Sequence, residues 1–166
     1  MDFPIEIAVA VLILVFVVTY AYLTLKTVKY TIVKIGNATV KAEIADTPLK
    51  KMRGLMFRKS LAANDGMIFP FDSEGYQGFW MMNTSIPLDL IWLNSTKHIV
   101  FIQKDAQPCT ITDCPVYKPD SPAMYVLETN AGFTDAHEHR DFFGIEHTNH
   151  RRLFRFFSYG IEQFDR

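Results

Sequence analysis

Residues 88–103 read Leu88-Asp-Leu-Ile-Trp-Leu93, then Asn94-Ser-Thr-Lys97, then His98-Ile-Val-Phe-Ile-Gln103. Two short runs rich in branched and aromatic side chains flank a polar four-residue link. That pattern predicts two strands pairing back on each other. Upstream, Thr39 to Ala45 alternates, with Val40, Ala42 and Ile44 on one face and Lys41 and Glu43 on the other, as a half-buried strand does. Met67 to Phe71 and Phe79 to Met82 read as further strands, separated by Gly75 and Gly78. Downstream, Ala123 to Thr129 is another, and Arg151 to Phe157 alternates weakly as a last one. Two helices are expected. Thr47-Pro48 supplies an N-cap and a first-turn proline for one ending near Leu55. Thr134 caps another running to about Phe143, with Gly144 as its stop. Short strands with short links give a mainly β fold: an antiparallel β-sandwich or open barrel with two short helices.

The front of the chain departs from this pattern. Ile7 to Leu25 holds no charged residue. About 20 apolar residues suffice to span the hydrocarbon core as a helix, and this segment lacks the polar stripe of a core helix. Tyr20 and Tyr22 lie at one end, where interfacial aromatics belong. The acidic start, Met1-Asp-Phe-Pro-Ile-Glu6, and the Tyr-Leu-Thr-Leu-Lys26 exit do not suit a cleaved signal peptide. The expected organisation is an N-terminal transmembrane anchor over 1–29, a linker or first strand over 30–37, a soluble β-rich domain over 38–157 and a tail over 158–166. Lys26, Lys29 and Lys34 after the helix favour a cytoplasmic domain. Cys109, Cys114 and the sequons at Asn37, Asn83 and Asn94 favour the opposite side.

The chain has 166 residues, so about 130 remain for one domain with a real core. A net charge of −1 without a basic stripe excludes nucleic acid as a partner. The expected partners are the lipid bilayer, through residues 7–25, and an envelope ligand or membrane protein. No cofactor is expected.

Four constellations bear on chemistry. Phe79-Trp-Met-Met-Asn83-Thr-Ser-Ile-Pro-Leu-Asp89 joins aromatics, an amide and a carboxylate, which suits a pocket where Trp80 stacks on a ligand and Asn83 and Asp89 bond it. The plainer alternative is a core strand and turn, with Asp89 paired to Arg53 or Arg58. Cys109 and Cys114 stand at C-x4-C inside a long loop, 105–122. Zinc wants four ligands and redox sites want C-x-x-C, so a structural disulfide fits best. His137, His139, His147 and His150 lack a ligand spacing, because on a helix His137 and His139 point to different faces; no metal site is expected. Asp89 and Glu128 are the carboxylates a hydrolase would pair, and Glu128 sits in an apolar strand where burial would raise its pKa.

Glu43-Ile-Ala-Asp-Thr-Pro48, Arg53-Gly-Leu-Met-Phe-Arg58, Gly66-Met-Ile-Phe69, Phe79-Trp-Met-Met-Asn-Thr84, Ile86-Pro-Leu-Asp89, Cys109 to Tyr117 and Tyr125-Val-Leu-Glu-Thr-Asn-Ala-Gly132 together resemble domain of unknown function 192, also called uncharacterised protein family 0127. The likeness runs in the family's order over roughly 38–157. It implies a compact, mainly β domain of sandwich or barrel type, and export, which favours an extracytoplasmic domain over the reading from flanking charges. It carries over no catalytic residues. The family's Gly-Ile-x-x-Gly-Asp turn before the last strand is absent, since Gly144-Ile145 continues as Glu-His-Thr-Asn-His-Arg. The function expected is a non-catalytic, membrane-tethered binding domain at the cell envelope. Its face is expected to comprise Arg53, Trp80, Asn83, Asp89, Tyr117 and Glu128. The alternatives are a hydrolase using Asp89 and Glu128, or a scaffold subunit of a membrane complex.

Overall fold

The computed structural model describes residues 5–26, 28–36, 38–110, 113–137 and 143–146, of which 21–26 and 143–146 are described by their backbone alone. The final strand expected at 151–157, the tail, Asn37 and the outer histidines His139, His147 and His150 lie outside these residues.

The elements run α1 (Ile5–Lys26), β1 (Tyr30–Ile35), β2 (Ala38–Ile44), α2 (Pro48–Arg53), β3 (Asp65–Gly75), β4 (Leu88–Leu93), β5 (Ile99–Ala106), β6 (Ala123–Asn130), α3 (Phe133–Ala136) and β7 (Phe143–Glu146). The fold is mainly β, with α1 ahead of the sheet and two short helices, α2 and α3. The seven strands form one sheet in the order β5-β4-β6-β3-β2-β1-β7. The hairpin expected over 88–103 is present, with Leu90 opposite Gln103 and Trp92 opposite Phe101. Its link is held by Asn94, whose Oδ1 accepts from the His98 amide at 2.8 Å.

Three expectations need correcting. The sheet is not wholly antiparallel: β2 and β3 pair in parallel, Glu43 beside Met67 and Ile44 beside Ile68. A parallel pair needs a long crossover, and residues 45–64, which carry α2, provide it. Phe79 to Met82 is no strand of the sheet. It makes only isolated bridges, Phe79 to Tyr117 and Met82 to Cys109, because it lies across one face as a covering segment. The helix expected over 134–143 stops at Ala136, and Phe143–Glu146 pairs antiparallel with β1.

The first short helix matches its signals. The Lys50 amide donates to Thr47 Oγ1 at 3.2 Å, Pro48 opens the helix, and Gly54 closes it at φ +48°. A left-handed φ favours glycine at that position.

Both faces of the sheet are buried, and strand periodicity assigns the residues. Val33, Val40, Ile68, Ile91, Leu93 and Leu127 pack on one face with Phe133 of α3. Met67, Phe69, Leu88, Leu90, Trp92 and Val126 pack on the other with Leu55 and Met81. The tightest point is Gly66, where an added Cβ would stand 2.6 Å from the Glu128 carbonyl oxygen. Only glycine lets β3 and β6 approach that closely.

α1 is a helix of 22 residues that contains the whole apolar stretch 7–25. Each of its described side chains, residues 5 to 20, is exposed. Among the described residues no helix is long and apolar enough to cross a membrane. The segment expected to span is helical throughout.

Candidate functional site

On the face that carries Phe69 and Trp92, a cleft of about 280 Å³ opens between α2 and the covering segment. Lys51, Met52 and Arg53 come from the end of α2, and Gly54, Leu55 and Met56 from the turn after it. Phe69 and Phe71 come from β3, while Gln77, Phe79, Trp80, Met82 and Thr84 come from the covering segment. The floor includes Glu128 of β6.

The aromatic walls are set by edge-to-face packing. Phe79 lies 4.9 Å from Phe69 and 6.4 Å from Phe71, nearly perpendicular to both. It also meets Trp92 edge-on at 5.8 Å. Such pairs stabilise by about 0.5–1.5 kcal/mol beyond the area they bury. Trp92 donates its indole N–H to the Gln77 carbonyl at 2.9 Å, which ties the covering segment to the sheet. Trp80 instead stays 46% exposed at the mouth.

Glu128 is the unusual group. It is 5% exposed, and its cross-strand neighbours are Met67 on β3 and Leu90 on β4, both buried and apolar. Its Oε2 has no hydrogen-bond partner among the described residues. Burial disfavours the charged form and pushes its pKa up to about 8, so at neutral pH it is a carboxylic acid with an O–H to donate. An added Cβ at Gly54 would lie 3.8 Å from Glu128 Oε2 and 3.5 Å from the Phe69 ring, so the backbone passes directly over the acid.

Two cations stand at the opening. The Lys51 ammonium sits 4.5 Å from the centroid of the Phe71 ring. The Arg53 guanidinium has no ion pair or side-chain hydrogen bond among the described residues.

The structure therefore brings Arg53, Trp80 and Glu128 together, and separates Asp89 from them. Asp89 stands opposite Thr129 on β6, one residue out of step with Glu128, so the two carboxylates point to opposite faces of the sheet. Asp89 is fully buried and already committed. Its Oδ2 accepts from the Thr134 amide at 2.9 Å and hydroxyl at 2.7 Å, and its Oδ1 from the Asp105 amide at 2.9 Å. It holds α3 and the end of β5 in place. The expected pairing of Asp89 with Arg53 or Arg58 is absent, and Arg58 bonds Glu43 instead. A two-carboxylate hydrolytic site is therefore not formed.

Asn83 and Tyr117 border the cleft without lining it. Asn83 adopts φ +56° and offers its carbonyl to the Phe57 amide at 2.8 Å. Tyr117 exchanges backbone bonds with Phe79 at 2.8 and 2.9 Å and backs the covering segment. Cys109 and Cys114 are joined, with Cα atoms 5.1 Å apart. His137 Nδ1 donates to the Phe133 carbonyl at 2.8 Å. Among the described residues no group of three or more His, Cys, Asp or Glu side chains is placed to hold a metal.

The lining also includes Met52, Met56, Phe69, Phe71 and Gln77, which none of the four sequence constellations contained.

A seven-stranded sheet with an acid-floored cleft beneath a covering segment defines a mainly β, single-sheet domain. The family described as Uncharacterized ACR, DUF192, matches residues 31–141, two thirds of the chain, and the chain belongs to it. Among curated relatives, a UPF0127 protein of Thermococcus kodakarensis is 30% identical over 94 residues, covering 55% of each chain. Another from Thermococcus sibiricus is 30% identical over 102 residues, covering 58% of this chain and 59% of its own. The chain thus spans little more than half the length of these relatives. Among solved structures, a protein of unknown function from Novosphingobium aromaticivorans superposes with a TM-score of 0.62 at 29% identity, covering 72% of this chain and 84% of its own. A Sinorhizobium meliloti protein given as a candidate transcription regulator superposes at 0.62 with 27% identity, covering 72% and 93%.

Proposed function

We propose that this chain is a membrane-tethered binding domain whose cleft between α2 and the covering segment takes a small ligand. The observation that carries this reading is the unpartnered Oε2 of Glu128, buried on the floor of an open cleft. A buried polar atom without a partner costs about 1–3 kcal/mol, and a ligand that accepts its proton in a hydrogen bond relieves that cost. Aromatic walls with a few convergent polar groups are what small-molecule sites present. Neither the candidate regulator's name nor the chain's net charge of −1 supplies a basic face for nucleic acid.

The tether is α1. Large apolar side chains cover its described length on all sides, with Leu12 and Phe16 each 69% exposed, and lipid is the solvent that suits such a surface. The disulfide favours an oxidising, extracytoplasmic side for the domain.

Two measurements test this. Alkaline carbonate washing of membranes should leave the full-length chain in the pellet; release into the supernatant refutes the tether. Titration with a panel of small envelope glycans, peptides and organic ions should change Trp80 emission, and the change should vanish in Trp80→Ala. A signal that survives that substitution places the binding elsewhere.

A further inference from the structure

We propose that the ligand of this cleft is a small organic carboxylate with an apolar body, its carboxylate held by the acid of Glu128 and the cations of α2 and its body lying against the aromatic walls. This rests on the ligand-binding reading above and deepens it by naming the chemistry.

The ionisable side chains lining the cleft are Lys51, Arg53 and Glu128. The first two are cations at the mouth. The third is uncharged, flanked by Met67 and Leu90 on the neighbouring strands with Phe69 beside it. At neutral pH all three are therefore hydrogen-bond donors, and the lining carries positive charge with no anion to balance it. Arg53 has no partner of its own among the described residues, and a guanidinium fork matches a carboxylate. A carboxylate also accepts the Glu128 proton in a charge-assisted bond, which is short and strong.

The competing ligand is an alkylammonium, since aromatic walls attract cations. It would meet Lys51 and Arg53 at the entrance. It would also require Glu128 to ionise between two apolar neighbours. A phosphate would bring extra charge into a cleft walled by Phe69, Phe71, Phe79 and Trp80, where desolvating it is costly. The monocarboxylate satisfies the donors with the least charge buried.

The two ligand classes respond to pH with opposite sign. The charged groups facing Glu128 are Lys51 and Arg53 of α2; β3 presents Met67 and Phe69, β4 presents Leu90, and the covering segment adds no charge to the lining. Ionisation of Glu128 removes a donor and places a negative charge beside a bound carboxylate. The same event creates a partner for an ammonium.

The test is calorimetric titration of the full-length chain in detergent from pH 6 to pH 9.5. The probes are 3-phenylpropanoate, its neutral amide, 2-phenylethylammonium and inorganic phosphate. The expected result is preference for the carboxylate over the amide by about tenfold or more. Its affinity should fall by about tenfold per pH unit above the Glu128 transition near 8. Glu128→Gln keeps a donor and cannot ionise, so it should bind with that pH dependence removed. Arg53→Gln should weaken the carboxylate by about tenfold. Preference for the ammonium with tightening at high pH, or for phosphate, overturns the carboxylate while leaving a binding cleft. Carboxylate binding whose pH dependence persists in Glu128→Gln removes Glu128 from the site and overturns the proposal. Silence with every probe, with Trp80 unresponsive, overturns both the carboxylate and the cleft as a binding site.

Discussion

Replacing Glu128 by glutamine isolates the energetic cost of a buried acid. In the folded chain burial raises its pKa from 4.5 to about 8. Between those pH values the folded state keeps a proton that the unfolded chain has lost. Stability rises with pH only where the unfolded state binds more protons, so here it falls as pH rises. The contribution is fully present below pH 4.5 and lost as pH climbs through 8. One pKa unit corresponds to about 1.4 kcal/mol, so the 3.5-unit span amounts to roughly 5 kcal/mol in all, of which roughly 4 falls between pH 5 and pH 8. Glutamine has the same shape and does not titrate. It leaves its own amide to be satisfied, but that offset is constant with pH. Urea unfolding of the full-length chain in detergent, followed through the buried Trp92, gives stability at each pH. Subtracting the variant from the parent cancels every other titrating group. The difference should move against the parent by roughly 4 kcal/mol between pH 5 and pH 8 and flatten above that. Curves that stay parallel to within about 1 kcal/mol would mean Glu128 is ionised in the fold, and the reasoning about its environment fails.

Gly54→Ala should destabilise by about 1–2 kcal/mol, because φ +48° strains a side chain and the new methyl faces Phe69 and Glu128; the denaturation midpoint reads it. Asp89→Ala strips the acceptor from three buried or part-buried donors and should cost about 3–5 kcal/mol, with the amides of Thr134 and Asp105 losing protection from hydrogen exchange. Gly66→Ala forces β3 from β6 at the Glu128 carbonyl and should reduce soluble expression of the fold far more than Gly75→Ala, whose nearest neighbour is the Gln77 side chain. Converting both Cys109 and Cys114 to serine should cost ~2 kcal/mol or less, since the closed loop is short, and should speed proteolysis within 107–122.

The strands and the first helix were legible because their signals are local. Thr47-Pro48 fixed the start of α2, whose end was expected near Leu55 and falls at Arg53 because Gly54 closes the helix, and alternation or apolar runs fixed β2, β3, β4 and β6. Two local signals misled. Phe79-Trp-Met-Met82 has strand composition, yet its apolar side chains serve to cover a face already made by other strands. Phe143-Gly-Ile-Glu146 looked like a helix end because Gly144 is a common stop, while pairing with β1, more than a hundred residues away, decided otherwise. The parallel β2–β3 pair is likewise a long-range choice that no short window contains. Among the site residues, Trp80 and Arg53 reached the cleft with Glu128. Asp89 was separated from Glu128 by a single step of register, which sequence cannot fix. Residues such as Phe69 and Gln77 line the cleft only because the crossover and covering segment happen to meet there.

The central position of β6 sets an order of events during synthesis. Residues 30–75 and the 88–106 hairpin emerge from the ribosome first, yet they touch as one sheet only through Ala123–Asn130, which slots between β3 and β4. Until that strand arrives, each half waits with a bare hydrogen-bonding edge, open to pairing with a neighbouring chain. A nascent chain stalled before residue 123 is thus two sticky fragments, and chaperone demand should peak in that interval and fall once the last wedge is home.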